Sequence, residues 1–172
     1  MSEKTTSFFR YLAYAMEIIL LYVLGTTPNL LPEIFGAKPT LLLCVALTAA
    51  IFEREIPAMV IGMICGILTD LGYSNGIGLF TISLTVICFI VGYAANNLVV
   101  AKFTTFLLYA FIAVGGIFML YFLVHIVWAG VDDCWGYFQR HLLSRMVQTY
   151  VLSIPIYFLN RFIYRTLGNE IN

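Results

Sequence analysis

Charge is what this sequence has least of. Only 10% of its 172 residues are charged, and its nine basic side chains balance its nine acidic ones. A soluble domain carries about 25% charged residues, so a chain that is 62% hydrophobic could not hide its apolar surface from water. The absence of a basic excess gives no indication of nucleic-acid binding. These shortages predict one membrane domain over residues 1–172, with no soluble domain attached.

Patterns typical of metal or catalytic sites are equally scarce. The four cysteines form neither a zinc motif nor a disulfide framework, and they are interpreted as small packing residues. One polar cluster near the outer end of the fifth apolar segment could ligate a metal or share a proton: His125, Asp132, Asp133, Cys134 and His141. It lacks the HExxH spacing or a comparable one, so a solvated acidic loop is the simpler interpretation. The sequence therefore predicts no enzyme and no cofactor or metal.

Long apolar runs fill the rest of the chain. A transmembrane helix needs about 20 apolar residues to cross the ~30 Å hydrocarbon layer. The runs predict an all-α integral membrane protein, a bundle of six transmembrane helices over about residues 8–25, 40–52, 57–71, 79–98, 103–129 and 145–163. The second run could be a short span or a re-entrant segment, and the charged turn after it favours a span. Residues 26–39 hold three prolines and predict re-entrant character after helix one.

Basic residues predict the orientation of these spans. With six spans both termini lie on the same side, which would collect Lys4, Arg10, Arg54, Lys102, Arg161 and Arg165. The opposite side would hold Lys38, Arg140 and Arg145. Because cytoplasmic loops carry the excess of Lys and Arg, both termini are expected in the cytoplasm.

The third span and the turn after it carry the most informative pattern. Gly62 and Gly66 lie one helical turn apart, where small residues let a second backbone approach closely in a membrane. This packing could be internal or with another protein. Asp70, one turn further on, could bind a partner or a ligand. The favoured interpretation is that it bonds the free N–H groups of the glycine turn that contains Gly76 and Gly78.

Glu17 falls near the middle of the first span. An ionisable group at membrane depth is a functional candidate by default. Glu17 could be a proton or substrate site, could face a partner protein, or could be a protonated carboxyl bonded to a neighbouring helix. A structural role is favoured, because one lone carboxylate makes a poor proton relay.

Several of these residues, in this order and spacing, resemble the rod shape-determining protein MreD family. The pattern consists of Lys38-Pro39 opening the second helix, then Gly62-x-x-x-Gly66-x-x-x-Asp70-Leu71, then Gly76-x-Gly78-Leu79. The resemblance implies a non-enzymatic scaffold of the cell-elongation machinery in the bacterial inner membrane, surrounded by membrane lipids. Its implied partner is an MreC-like bitopic membrane protein. The glycosyltransferase–transpeptidase pair that extends peptidoglycan and the actin-like MreB are further implied partners.

The same resemblance also supplies an alternative function. The family's fold looks like the substrate-binding subunits of energy-coupling-factor vitamin transporters, so a substrate-capture subunit is the second hypothesis. Subunits of that kind often carry an Ala-x-x-x-Ala docking face on their first helix. Here Ala13 is followed four residues later by Glu17, and Ala15 by Ile19. The missing face favours the scaffold.

Overall fold

A computed structural model of the chain describes residues 3–27, 39–73, 78–97, 103–124, 136, 138 and 142–168. These residues form six helices and no strand: α1 (Glu3–Thr26), α2 (Leu41–Phe52), α3 (Glu55–Tyr73), α4 (Leu79–Asn97), α5 (Phe103–Phe122) and α6 (Leu143–Gly168). The all-helical fold class is thereby confirmed. Most of the predicted re-entrant segment, residues 28–38, and the predicted continuation of helix five beyond 124 lie outside the described residues.

Four of the six helices have the length and composition to cross a membrane. They are the segments Phe8–Thr26, Glu55–Gly72, Leu79–Asn97 and Phe103–Phe122. The 12 residues of α2 span only about 18 Å at 1.5 Å per residue, less than the ~30 Å of hydrocarbon. The 26 residues of α6 are long enough, but its polar side chains make it less apolar than the other four.

The short helix α2 lies at the centre of the bundle. All of its residues from Leu41 to Ile51 are buried, and it contacts each of the other five helices. A helix that is apolar on every side is suited to such a position. Because α2 is enclosed by protein, it does not have to match the thickness of the lipid, which explains why its apolar run is so short.

Successive helices run alternately between the two ends of the bundle. Arg10, near the start of α1, forms an ion pair with Glu53, which directly follows α2. Asn96, near the end of α4, donates a hydrogen bond to the backbone oxygen of Glu53 at 3.1 Å. Phe103, which begins α5, packs against Tyr157 in the second half of α6, and their ring centroids are 5.4 Å apart. We call this end of the bundle the Glu53 end.

The outer surface of the bundle is apolar. Phe8 and Met16 on α1, Leu71 on α3, Ile82 on α4 and Phe111 on α5 are each at least 65% exposed. Contiguous exposed apolar surface of this kind marks a membrane or protein contact. The long helices thus expose apolar faces suited to lipid.

Candidate functional site

The predicted glycine face brings α3 and α4 together. A Cβ atom on Gly66 would overlap the Cα of Thr81, and one on Gly62 would lie 2.8 Å from the backbone oxygen of Leu84. Only glycine allows two helix backbones to approach this closely. In the structure both glycines therefore pack inside the chain, against α4.

The carboxylate of Asp70 holds the start of α4. Its Oδ2 accepts hydrogen bonds from the backbone N–H and the hydroxyl of Thr81 at 2.9 and 2.6 Å, and its Oδ1 accepts one from the backbone N–H of Phe80 at 3.3 Å. The first N–H groups of a helix lack intrahelical partners, and a negative charge there also complements the helix dipole. Asp70 thus caps α4 from the end of α3. The sequence predicted bonds to N–H groups of the glycine turn, and the N–H groups of Phe80 and Thr81 lie just beyond that turn.

Gly78 directly precedes α4 and has a φ of +68°. Glycine adopts this left-handed conformation readily, whereas other residues resist it. No atom lies within 4 Å of a Cβ built at this position, so the backbone conformation and not the packing requires glycine. Gly76 lies outside the described residues.

The start of α2 is anchored to α6. Pro39 and Thr40 are buried. The backbone N–H of Thr40 donates to the hydroxyl of Thr149 at 3.2 Å, and the Nε of Arg145 donates to the hydroxyl of Thr40 at 3.1 Å. Pro39 therefore introduces the central helix at a packed position, while its motif neighbour Lys38 lies outside the described residues.

Glu17 points into the bundle from the middle of the Phe8–Thr26 segment and is only 9% exposed. The side-chain amide of Asn160, on α6, donates to the Oε1 of Glu17 at 3.0 Å and to the hydroxyl of Thr48, on α2, at 2.9 Å. Asn160 and Thr48 are completely buried. This polar cluster joins three helices, and it agrees with the interpretation of Glu17 as a carboxyl bonded to a neighbouring helix.

A second polar contact joins α1 to the α2–α3 turn at the Glu53 end. The Nε of Arg10 lies 2.7 Å from the Oε1 of Glu53, and its Nη2 donates to the Oε2 at 3.1 Å. Arg10 also lies 5.7 Å from the centroid of the Tyr164 ring, a cation–π distance. The carboxylate is only 3% exposed. Burial raises the pKa of Glu53, and the Arg10 guanidinium opposes that shift.

An apolar groove separates α1 from α3. We call it the α1–α3 groove. Its volume is about 560 Å³, and it is lined by Tyr11, Tyr14, Ala15, Ile18, Ile19, Ile56, Pro57, Val60, Ile61, Ile64 and Leu68. Apart from the two tyrosine hydroxyls, these side chains offer no polar group. The groove is therefore suited to an apolar segment and not to a polar small molecule.

The predicted alternative of a metal or proton-sharing cluster falls on positions that the structure does not describe. His125, Asp132, Asp133, Cys134 and His141 all lie outside the described residues. Across the ranges that are described, no group of three or more His, Cys, Asp or Glu side chains could hold a metal ion.

Comparison with known families matches the whole helical core. A family model described as rod shape-determining protein MreD matches residues 6–163. The chain belongs to the MreD family. The match runs from the first turns of α1 to the last turns of α6, well beyond the motif region from which the resemblance was drawn. The MreD family is known for shape determination and is not a known enzyme family. Neither a curated protein nor a solved structure matches the chain.

The residues that join α1 to the rest of this MreD-family fold were missed by sequence reasoning. Asn160 and Thr48 are neutral polar residues inside apolar runs, a common pattern in membrane helices. Glu53 stood out only as part of a charged turn. A carboxylate in a membrane helix requires a partner, so Glu17 indicated that a partner exists without indicating where in the chain it is.

Proposed function

We propose that this chain is a non-enzymatic scaffold of the bacterial cell-elongation machinery. It would lie in the inner membrane and bind the single transmembrane helix of an MreC-like bitopic partner. The observation that carries the proposal is the MreD family match over residues 6–163. Through that partner the scaffold would act with the glycosyltransferase–transpeptidase pair and the actin-like MreB.

The α1–α3 groove supports a helix-binding role. Its walls come from two helices that touch each other little along their length, so the space between them is open to the side. Ala15 and Pro57 keep parts of the lining small, and small side chains favour helix association where lipid removes the hydrophobic driving force. We assign the partner helix to this groove.

Filling the groove should therefore release the partner. Ala15→Phe and Val60→Phe place bulky rings in the groove, and neither residue belongs to the polar contacts that hold α1. Each variant is expected to lose most of the bitopic partner on affinity purification in mild detergent and to widen the cells. Ile112→Phe is the matched control, because Ile112 is 61% exposed on α5 and lies outside the groove.

The same purification separates the scaffold from the vitamin-capture alternative. A scaffold co-purifies with a membrane protein that has one span and a large extracytoplasmic domain, and its loss turns rods into spheres. A capture subunit co-purifies with a coupling membrane protein and two ATPases, and it retains a vitamin. A vitamin-sized ligand seen by native mass spectrometry, together with unchanged cell width after depletion, would disprove the scaffold.

Both termini are proposed to be cytoplasmic. The alternating course of the helices is consistent with this, since Arg10, Arg54, Arg161 and Arg165 belong to chain segments that meet at the Glu53 end, and such an excess marks the cytoplasmic side. Alkaline phosphatase fused after Asn172 is expected to be inactive, and fused within residues 132–137 it is expected to be active. An active fusion after Asn172 would contradict this orientation.

A further inference from the structure

The contact between Glu17 and Asn160 leaves two buried oxygen atoms without partners. The two side chains are joined by a hydrogen bond of 3.0 Å from the Nδ2 of Asn160 to the Oε1 of Glu17. The second oxygen of each side chain, the Oε2 of Glu17 and the Oδ1 of Asn160, has no hydrogen-bond partner among the described residues. Both would be acceptors if the carboxyl were ionised. Unsatisfied buried polar atoms are costly and require an explanation.

A single proton removes both deficits. A carboxylic acid and a carboxamide can pair edge to edge, with the amide N–H donating to one carboxyl oxygen and the carboxyl O–H donating to the amide oxygen. The second amide hydrogen of Asn160 remains for the hydroxyl of Thr48, 2.9 Å away, and the backbone oxygen of Ile156, 3.3 Å away. The arrangement then uses every donor that Asn160 has.

We propose that Glu17 and Asn160 form a proton-binding site, in which the proton on the Oε2 of Glu17 is donated to the Oδ1 of Asn160. The pair then carries no charge at the centre of the bundle and fastens α1 to α6 through two hydrogen bonds. Loss of the proton places two acceptors against each other and weakens the attachment of α1. This site is distinct from the proposed scaffold role, and its protonation can be measured on the purified protein.

Among the described residues, no free cation faces Glu17 to stabilise an ionised carboxylate. In the described part of the chain, the titratable groups that interact with Glu17 are Tyr14, one turn earlier on α1, and Cys65 on α3, and both side chains are ordinarily neutral at neutral pH. Asn160 on α6 contacts Glu17, and Thr48 on α2 accepts from Asn160; both side chains are uncharged. Arg10 lies two turns away and is paired with Glu53. A lone anion in this position is more costly than a protonated acid.

The length of α1 places this site near the middle of the membrane. Glu17 is nine residues from either end of the Phe8–Thr26 segment, or about 13 Å at 1.5 Å per residue. The proton would therefore reach it along the bundle and not from the lipid. Because α1 forms one wall of the α1–α3 groove, the proton-bound pair also fixes the position of that wall.

Glu17→Gln is the decisive variant, because a glutamine amide can form the same two bonds without a titrating proton. The full-length protein in lipid nanodiscs is expected to show an infrared band of a protonated carboxyl at neutral pH that disappears in Glu17→Gln. The melting temperature of this variant should stay close to that of the wild type. Glu17→Leu and Asn160→Leu should each melt several degrees lower, since each leaves a buried polar group unpaired.

The pH dependence gives an independent readout. The melting temperature of the wild type is expected to fall as the pH rises and the carboxyl of Glu17 gives up its proton. The melting temperature of Glu17→Gln should fall less over the same pH range. The rival arrangement is an ionised Glu17 bridged to Asn160 by a water molecule. A carboxylate band assigned to Glu17 at neutral pH, or a loss in Glu17→Gln as large as in Glu17→Leu, would overturn the proposal.

Discussion

Gly66→Leu is expected to remove most of the folded protein from the membrane. A Cβ alone at this position would overlap the Cα of Thr81, and this backbone atom cannot move aside as a flexible side chain would. Overpacking a core costs about 1–3 kcal/mol even where side chains can adjust, and here α3 and α4 must separate. Separation would also pull Asp70 away from the first turn of α4. The measurement is the yield of monodisperse protein after detergent extraction.

Gly116→Leu is the control for this prediction. Gly116 is also a helical glycine, but no atom lies within 4 Å of a Cβ built there, and the residue is exposed on α5. Gly116→Leu should therefore give wild-type yield, and Gly66→Ala should fall between the wild type and Gly66→Leu. Equal yields from Gly66→Leu and Gly116→Leu would show that close α3–α4 contact is not needed for folding.

The helices could largely be read from the sequence, because their limits are set by local chemistry. Apolar runs end at the glycine turn before Leu79 and at the charged turn around Arg54, and the helices of the structure begin and end close to these points. The glycine face of α3 was also visible, since two glycines one turn apart have few other uses in a membrane helix. The side on which they pack required the position of α4.

The central place of α2 could not be read in the same way. A run of about 12 apolar residues is compatible with a short span, a re-entrant segment or a buried core helix. Its enclosure by the five other helices identifies α2 as a buried core helix. The charged turn after α2 favoured the prediction of a span. In the structure α2 is buried on all sides, so the thickness of the lipid does not set its length.

The polar contacts of α1 were hidden because they join distant parts of the chain. Glu17 and Asn160 are 143 positions apart, and Arg10 and Glu53 are 43 apart. Periodicity and motif spacing act over one or two helical turns, so they cannot pair such residues. The need for a partner was evident from the cost of a charge in a membrane, and its identity depended on how the helices pack.

Arg10→Met is expected to destabilise the protein strongly at neutral pH. Removing one member of a buried ion pair costs about 3–5 kcal/mol, because the other charge is left without compensation. Glu53 is 3% exposed, so its carboxylate is left largely buried without a charged partner. Glu53→Leu should cost less, since the long side chain of Arg10, near the start of α1, can turn its charge towards the interface. Thermal unfolding in lipid nanodiscs measures both losses.

The pH dependence of Arg10→Met distinguishes an unpaired charge from lost packing. Burial already holds the pKa of Glu53 above its ordinary value of 4.5, and removing the opposing guanidinium raises the pKa further. An acid whose folded-state pKa is raised adds stability at low pH and loses it as the pH rises through that value. Arg10→Met should therefore recover stability when the pH is lowered from 8 towards about 5. The double variant Arg10→Met/Glu53→Gln, in which no charge remains, should regain stability at every pH. A loss of stability in this double variant equal to that in Arg10→Met would instead assign the effect to packing of the arginine stem.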